Sequence, residues 1–315
     1  MNKITLRYFI DGKGRIDLQL RLLAGEGGLY KEIKSGEINR PGLALAGFFD
    51  FFAYDRIQIF GQGETAFMAQ LSHDQKIKVY YEFFKYPIFC CVFTYDYKPD
   101  DLFLEYADKN DVPIFGSRRG TTRFTTLFVH VVDELFAENV TLHATLVDVF
   151  GVGVLLTGKS GVGKSETALE LIERGHRLVG DDMIVIKKIG ESLLIGEGSE
   201  ILKHHIEIRG IGIINAREIF GIRSVTNRKR IDMVILLEEW DSSTEYDRLG
   251  LDEKKFTILD IDVSYIIVPV RPGRNIPIII ETAALNMRLK KAGINSAREL
   301  DEKIKKWITT EGGQK

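Results

Sequence analysis

Gly158-Lys-Ser-Gly-Val-Gly-Lys-Ser165 is the stretch on which the fold of this chain turns. It fits G-x-x-x-x-G-K-[ST], a pattern that cradles phosphate chains. Its glycines let the backbone turn tightly, so that successive N–H groups converge on phosphate oxygens. An apolar, β-branched run at 152–156 precedes it. An amphipathic helix over 165–174 follows, with Ala168, Leu169 and Ile172 on its apolar face and Gly175 at its end. That helix aims its N-terminal dipole at the same anion. Lys164 can reach β- and γ-phosphate oxygens as a point charge, and the Ser165 hydroxyl can meet Mg²⁺. Gly158, Lys159, Ser160, Gly161, Val162, Gly163, Lys164 and Ser165 are therefore the expected seat of ATP or pyrophosphate.

Outward from the loop, 145–149, 183–189, 192–195, 207–214 and 233–237 read as strands, and 277–291 as a long helix. Ser296-x-x-Glu299 reads as a capping box opening a last helix to about 308. In the first part, 57–60, 87–95 and 112–115 read as strands. Arg40-Pro41-Gly42 is a turn signal leading into 43–52, which reads as a buried helix. The polar run 116–126, with Arg118, Arg119 and Arg123, reads as a solvated loop, and a helical pattern begins at Thr126. The expectation is a two-domain α/β protein, 1–130 and 131–315, with no Pro/Gly/Ser linker to mark the boundary.

Bulk properties agree with this. A length of 315 residues suits two ordinary domains. A net charge of −2 gives no basic excess to point to nucleic acid. The two cysteines, Cys90 and Cys91, are adjacent and offer no disulfide framework, which suits a reducing compartment. There is no signal-peptide pattern at the start and no apolar run long enough to span a membrane, so a cytoplasmic location is expected.

A phosphate loop needs carboxylates to hold the metal and orient the nucleophile. Glu238-Glu239, after an apolar strand, is the pair that spacing alone favours. Asp181-Asp182 competes, because a strand directly after the loop's helix would set its acids beside the phosphates. His143, the Glu207-Ile-Arg209-Gly210 run and the turn Arg271-Pro-Gly-Arg274 are further candidates, the last as an anion clamp. A structural histidine and a plain surface turn are the alternatives.

Taken together, 143–182, 206–215 (IEIRGIGIIN), 268–275 (VPVRPGRN) and 40–61 (RPGLALAGFFDFFAYDRIQIFG) resemble the HPr kinase/phosphorylase family over nearly the whole chain. The resemblance implies a bifunctional enzyme that regulates carbohydrate metabolism. Such an enzyme phosphorylates a serine of the phosphocarrier HPr, or an HPr-like protein, from ATP or pyrophosphate, and removes the phosphate by phosphorolysis. It implies a catalytic domain like phosphoenolpyruvate carboxykinase, an N-terminal domain like a Mur-ligase substrate domain, a homo-hexamer, and Mg²⁺. By the same resemblance Asp182 is the base, Asp181 its support at the metal, Lys164 a phosphate holder, and Ser165 and Glu207 are Mg²⁺ ligands. His143 and Arg248 match active residues. The segment containing Glu207, Arg209, Gly210 and Asn215 matches one needed for both reactions, and that from Pro269 through Arg271 to Arg274 one needed mainly for dephosphorylation. The resemblance thus overrules the spacing preference for Glu238-Glu239. Two departures stand out: Lys159 where the family commonly has an acid, and Ala144 where glycine is usual. The rival expectations are a P-loop kinase of a small metabolite and a nucleotide-gated binding module.

Overall fold

Alternating β-branched strands and amphipathic helices build two α/β units, divided after Phe136. The computed structural model describes residues 4–11, 16–244 and 254–311.

The first unit contains β1 (Leu20–Ala24), β2 (Ile38–Asn39), α1 (Gly42–Leu45), β3 (Ile57–Phe60), α2 (Gln62–Gln70), α3 (His73–Phe84), β4 (Cys90–Phe93), α4 (Asp101–Lys109), β5 (Ile114–Ser117) and α5 (Thr121–Phe136). The sheet order is β1-β5-β4-β3-β2, parallel except for β1 at the edge. Alternation along each strand feeds two cores. Phe60 and Phe93 pack with Tyr80, Phe83, Phe84 and Phe103 on one face. Ile57, Ile59, Val92 and Phe115 meet Phe124, Phe128 and Val132 of α5 on the other. Cys90 and Cys91 lie in opposite cores, so the neighbouring thiols point apart. Both are free, and burial raises the pKa of each.

Two expectations for this unit are corrected. Residues 43–52 do not form a buried helix. The helix stops at Leu45, Gly47 turns at φ +91°, and Leu43, Phe48 and Phe51 are exposed, with only Ala44 and Leu45 fully enclosed. The run 116–126 is not one loop, because β5 extends to Ser117 and α5 begins at Thr121. Within it, Arg119 donates from Nε and Nη2 to the Asp17 carbonyl at 3.0 and 2.5 Å. The units divide after Phe136, within ten residues of the boundary expected near 130, and α5 runs unbroken to that residue with its apolar face buried in the first unit.

The second unit contains β6 (Asn139–His143), β7 (Thr145–Val149), β8 (Val152–Thr157), α6 (Lys164–Glu173), β9 (Arg177–Gly180), β10 (Met183–Ile189), β11 (Leu193–Gly198), β12 (His205–Ile208) and β13 (Gly212–Asn215). There follow α7 (Ala216–Phe220), β14 (Arg228–Arg230), β15 (Met233–Glu239), β16 (Lys255–Ile258), β17 (Ile261–Val270), α8 (Ile276–Lys291) and α9 (Ser296–Glu311). The main sheet has the order β16-β17-β15-β8-β7-β9, and a second sheet the order β14-β11-β10-β6. One face of the main sheet buries Val154, Leu156, Ile235 and Leu237 against α6 and α8 through Ala168, Leu171, Ile280 and Ala284. The other face buries Leu146, Leu155 and Val234 against Ile184, Ile186 and Leu194 of the second sheet.

Ion pairs fix the register at the edge that carries the acids. Buried Asp148 of β7 bonds Arg177 of β9 and meets Lys229 at 3.0 Å. Burial alone would raise the Asp148 pKa, but these two cations outweigh it and hold the carboxyl below its ordinary value.

The single strand expected over 207–214 is instead a hairpin, β12 and β13, because Gly210 and Gly212 turn at φ +87° and +100°. The last helix is capped by Asn295, whose Oδ1 accepts from the Arg298 N–H at 3.2 Å, rather than by Ser296. His143 does not precede the first strand of this unit; it ends β6, a strand absent from the sequence reading.

Candidate active site

Strands β8, β15 and β17 run parallel, so Thr157, Glu239 and Val270 end on one edge of the main sheet. The carboxyl edge of such strands is where α/β proteins place their ligands. The loop 158–163 leaves β8 at this edge and feeds α6. Two of its glycines answer a steric demand. Gly158 turns at φ +140°, and a Cβ there would lie 2.3 Å from the Leu237 carbonyl oxygen. Gly161 turns at φ +84°, and its Cβ would lie 2.8 Å from Arg209 Nη1. The loop is thus wedged between β15 and a guanidinium. Lys164 Nζ donates to the Gly158 and Lys159 carbonyls at 3.0 and 3.2 Å, which holds the ammonium over the loop.

The two aspartates that follow β9 have opposite surroundings. Asp181 is 4% exposed. Its Oδ1 accepts from the hydroxyl of fully buried Thr145 at 2.5 Å, and its Oδ2 from the Ser165 hydroxyl at 2.8 Å. Asp182 turns at φ +65° and points outward, its side chain 62% exposed. The pairing of Met183 with His143 brings His143 Nδ1 to 3.5 Å from Asp182 Oδ1. The Asp182 carbonyl accepts from the N–H of Ala144, whose side chain is buried. One carboxylate is therefore locked to the loop's helix, while its neighbour is open to an incoming molecule.

The β12–β13 hairpin brings a second set of residues. Ile206 and Ile208 bury themselves with Leu169 and Ile172 of α6, which turns Glu207 to the exposed face and carries Arg209 to Gly161. Asn215 is not turned to the loop: its Oδ1 caps α7, accepting from the Arg217 and Glu218 N–H groups at 3.0 and 3.3 Å. Gly210 serves the hairpin turn.

Glu238 and Glu239 line a cavity of about 310 Å³ with Lys159, Val162 and Asp241, on the β15 side of the loop. Among the described residues, the acid bonded to Ser165 is Asp181. Beyond β17, the Arg271 guanidinium lies 4.8 Å over the Trp240 ring, and Arg274 Nη1 donates to the Pro269 carbonyl at 3.0 Å. Arg248 lies outside the described residues.

Thr145 and Trp240 escaped the sequence reading. The available signal for Thr145 was a hydroxyl in an otherwise apolar strand end, since a buried hydroxyl requires a partner. For Trp240 it was an aromatic residue placed directly after a paired-acid strand end.

The donors that the structure brings together at the loop, the Ser165 hydroxyl and the Asp181 carboxylate, are oxygens, as a hard divalent cation requires, while Glu207 lies on the exposed face of the β12–β13 hairpin. Among the described residues no three His, Cys, Asp or Glu side chains form a complete cage.

Family models divide the chain a few residues before the break between the two units. A family model described as HPr Serine kinase N terminus matches residues 4–131, and one described as HPr Serine kinase C-terminal domain matches residues 134–304. The HPr kinase/phosphorylase of Leptospira biflexa is 50% identical over 294 residues, 93% of this chain and 91% of that protein. That of Treponema pallidum is 48% identical over 298 residues, 94% and 93% of the two chains. That of Caldanaerobacter subterraneus is 46% identical over 308 residues, 98% and 99%. A solved structure of the Hpr(Ser) kinase/phosphatase from Coxiella burnetii aligns to 51% of this chain and 98% of its own, with 38% identity and a TM-score of 0.46.

Proposed function

The chain belongs to the HPr serine kinase family, and from that membership, which makes it a bifunctional HPr serine kinase/phosphorylase, we propose that both reactions run in the cradle formed by residues 158–165. The observation that carries this reading is the divided pair of aspartates: Asp181 buried and bonded to Ser165, Asp182 exposed one residue further on.

In the forward direction the phosphoryl donor, ATP or pyrophosphate, lies along the backbone N–H groups of the loop and the N-terminus of α6. Lys164 neutralises charge on the transferring group. Asp182 takes the proton from the acceptor serine of HPr, or an HPr-like protein, as the serine oxygen bonds phosphorus and the leaving group departs, ADP from ATP or inorganic phosphate from pyrophosphate. In reverse, inorganic phosphate attacks the phosphoserine, Asp182 returns the proton to the serine oxygen, and pyrophosphate leaves. Mg²⁺, held by Ser165 and Glu207 with Asp181 in support, would screen the phosphate charge. His143 orients the Asp182 carboxylate, Arg209 braces the loop at Gly161, and Arg248 completes the set by resemblance. A transfer that needs positioning and charge neutralisation, with little covalent chemistry from the protein, lets one site serve both directions.

Several finer readings belong with this one. The second unit is a relative of the phosphoenolpyruvate carboxykinase fold and the first of the Mur-ligase substrate domain. The assembly is a homo-hexamer, a reading supported by the exposed Leu300, Ile304 and Trp307, which recur at helical spacing along α9. No described helix is long and apolar enough to cross a membrane, and the site of action is the cytoplasm.

Labelled ATP and purified HPr test the function directly. Phosphoserine should form on HPr, and added phosphate should then release pyrophosphate. Transfer to a small metabolite without HPr, or nucleotide binding with no transfer, would sink the reading.

The stacked Arg271 gives a further expectation. A guanidinium beyond the strand edge is suited to hold the inorganic phosphate that attacks in the reverse reaction. Arg271→Ala should slow phosphorolysis about tenfold or more while changing serine phosphorylation less, the loss typical of one charge-assisted contact. Parallel initial-rate assays in the two directions check this, and a loss confined to the kinase direction would reject it.

A further inference from the structure

We propose that Thr145 is a positioning residue for the cation site: it fixes Asp181, and Asp181 in turn leaves Ser165 with only lone pairs to offer a divalent metal. This rests on the loop's reading as a phosphate cradle and adds a residue to which the sequence motifs gave no role.

Thr145 begins β7, between β8 and β9, where every residue of the strand is buried. Its backbone pairs with Leu156 on β8, so the hydroxyl is held as firmly as the sheet itself. A carboxylate oxygen only accepts, so the 2.5 Å contact with Asp181 Oδ1 has Thr145 as donor. The same reasoning makes Ser165 the donor to Asp181 Oδ2 at 2.8 Å. A serine hydroxyl has one proton. Once that proton is committed to Asp181, the remaining lone pairs face away from the carboxylate and can meet a cation.

The two bonds act as a unit. With Oδ1 pinned by Thr145, rotation of the carboxyl group would break a buried bond and strand an enclosed hydroxyl, so Oδ2 stays aimed at Ser165. Remove the Thr145 hydroxyl and Asp181 is free to turn, and the Ser165 proton is no longer directed away from the metal. Thr145 touches neither phosphate nor metal; it acts through Asp181, as outer partners of metal ligands do. Asp182, exposed and on a left-handed turn, lies outside this chain of bonds, so the inference concerns metal affinity and makes no claim on the proton transfer.

The test is a Mn²⁺ titration of the full-length protein followed by electron paramagnetic resonance, with and without a non-hydrolysable ATP analogue. Thr145→Val keeps the shape and removes the hydroxyl. It should bind Mn²⁺ about tenfold more weakly than wild type, the low end of the losses seen when an outer partner is removed. Thr145→Ser, which keeps the donor, should restore wild-type affinity. Should the valine variant not fold, Thr145→Ala carries the same expected loss. Unchanged or tighter Mn²⁺ binding in the valine variant would overturn the proposal. So would a serine variant as weak as the valine one, since packing of the methyl group would then be the cause. Wild-type protein that takes up no Mn²⁺ with the analogue would instead reject the cradle itself, so the two failures are distinct.

Discussion

Replacing Lys164 with alanine is expected to remove serine phosphorylation and phosphorolysis together, each by about 10²–10³-fold. Lys164 opens α6, and its ammonium is held over the loop by the Gly158 and Lys159 carbonyls. Both directions build up charge on the same transferring phosphoryl group, so the loss of one cation aimed at it falls on both. The loop itself should survive, because its path is set by Gly158 against Leu237 and by Gly161 against Arg209, neither of which involves Lys164. Thermal melts of variant and wild type should therefore coincide. Rates in both directions, measured with HPr and with phosphoserine-HPr, provide the check; phosphorolysis retained at near wild-type rate would mean that the cradle is misassigned.

Asp182→Asn should lower serine phosphorylation by about two decades or more, the usual contribution of a positioned general base, while nucleotide affinity stays near wild type. The backbone makes this a clean substitution. Asp182 sits at φ +65°, a conformation that asparagine adopts as readily as aspartate and most other residues do not. The amide therefore replaces the carboxylate without disturbing the turn, the pairing of Met183 with His143, or buried Asp181. Dephosphorylation should fall as well, since the same group must return the proton to serine. Equal kinase rates in variant and wild type would remove Asp182 from this role.

The backbone of the second unit was legible in sequence wherever its signals were local. The loop 158–163, its strand and its helix lie within one contiguous run, and β10 spans the expected 183–189. What failed depended on contacts distant in sequence or on backbone sign. The segment 207–214 looked like one strand because it is rich in isoleucine, but Gly210 and Gly212 adopt positive φ and fold it back on itself. The segment 43–52 is apolar enough for a core helix, yet its phenylalanines are spent partly on the surface. The choice between the two acid pairs could not be made by spacing. Spacing cannot show the bond between Ser165 and Asp181, which is reached only when β9 lies along β7. Thr145 was invisible for the same reason, since its partner is 36 residues away.

Tryptophan occurs at two positions in the chain, 240 and 307, both in the second unit. The first unit, for all its stacked phenylalanines, contains none. Trp240 follows the end of β15 and lies under the Arg271 guanidinium. Light absorbed selectively by indole is thus re-emitted only from the catalytic half, and one of its two emitters wears a cation whose displacement would alter its brightness. The molecule carries its own optical gauge of that half, and the N-terminal half is silent to it.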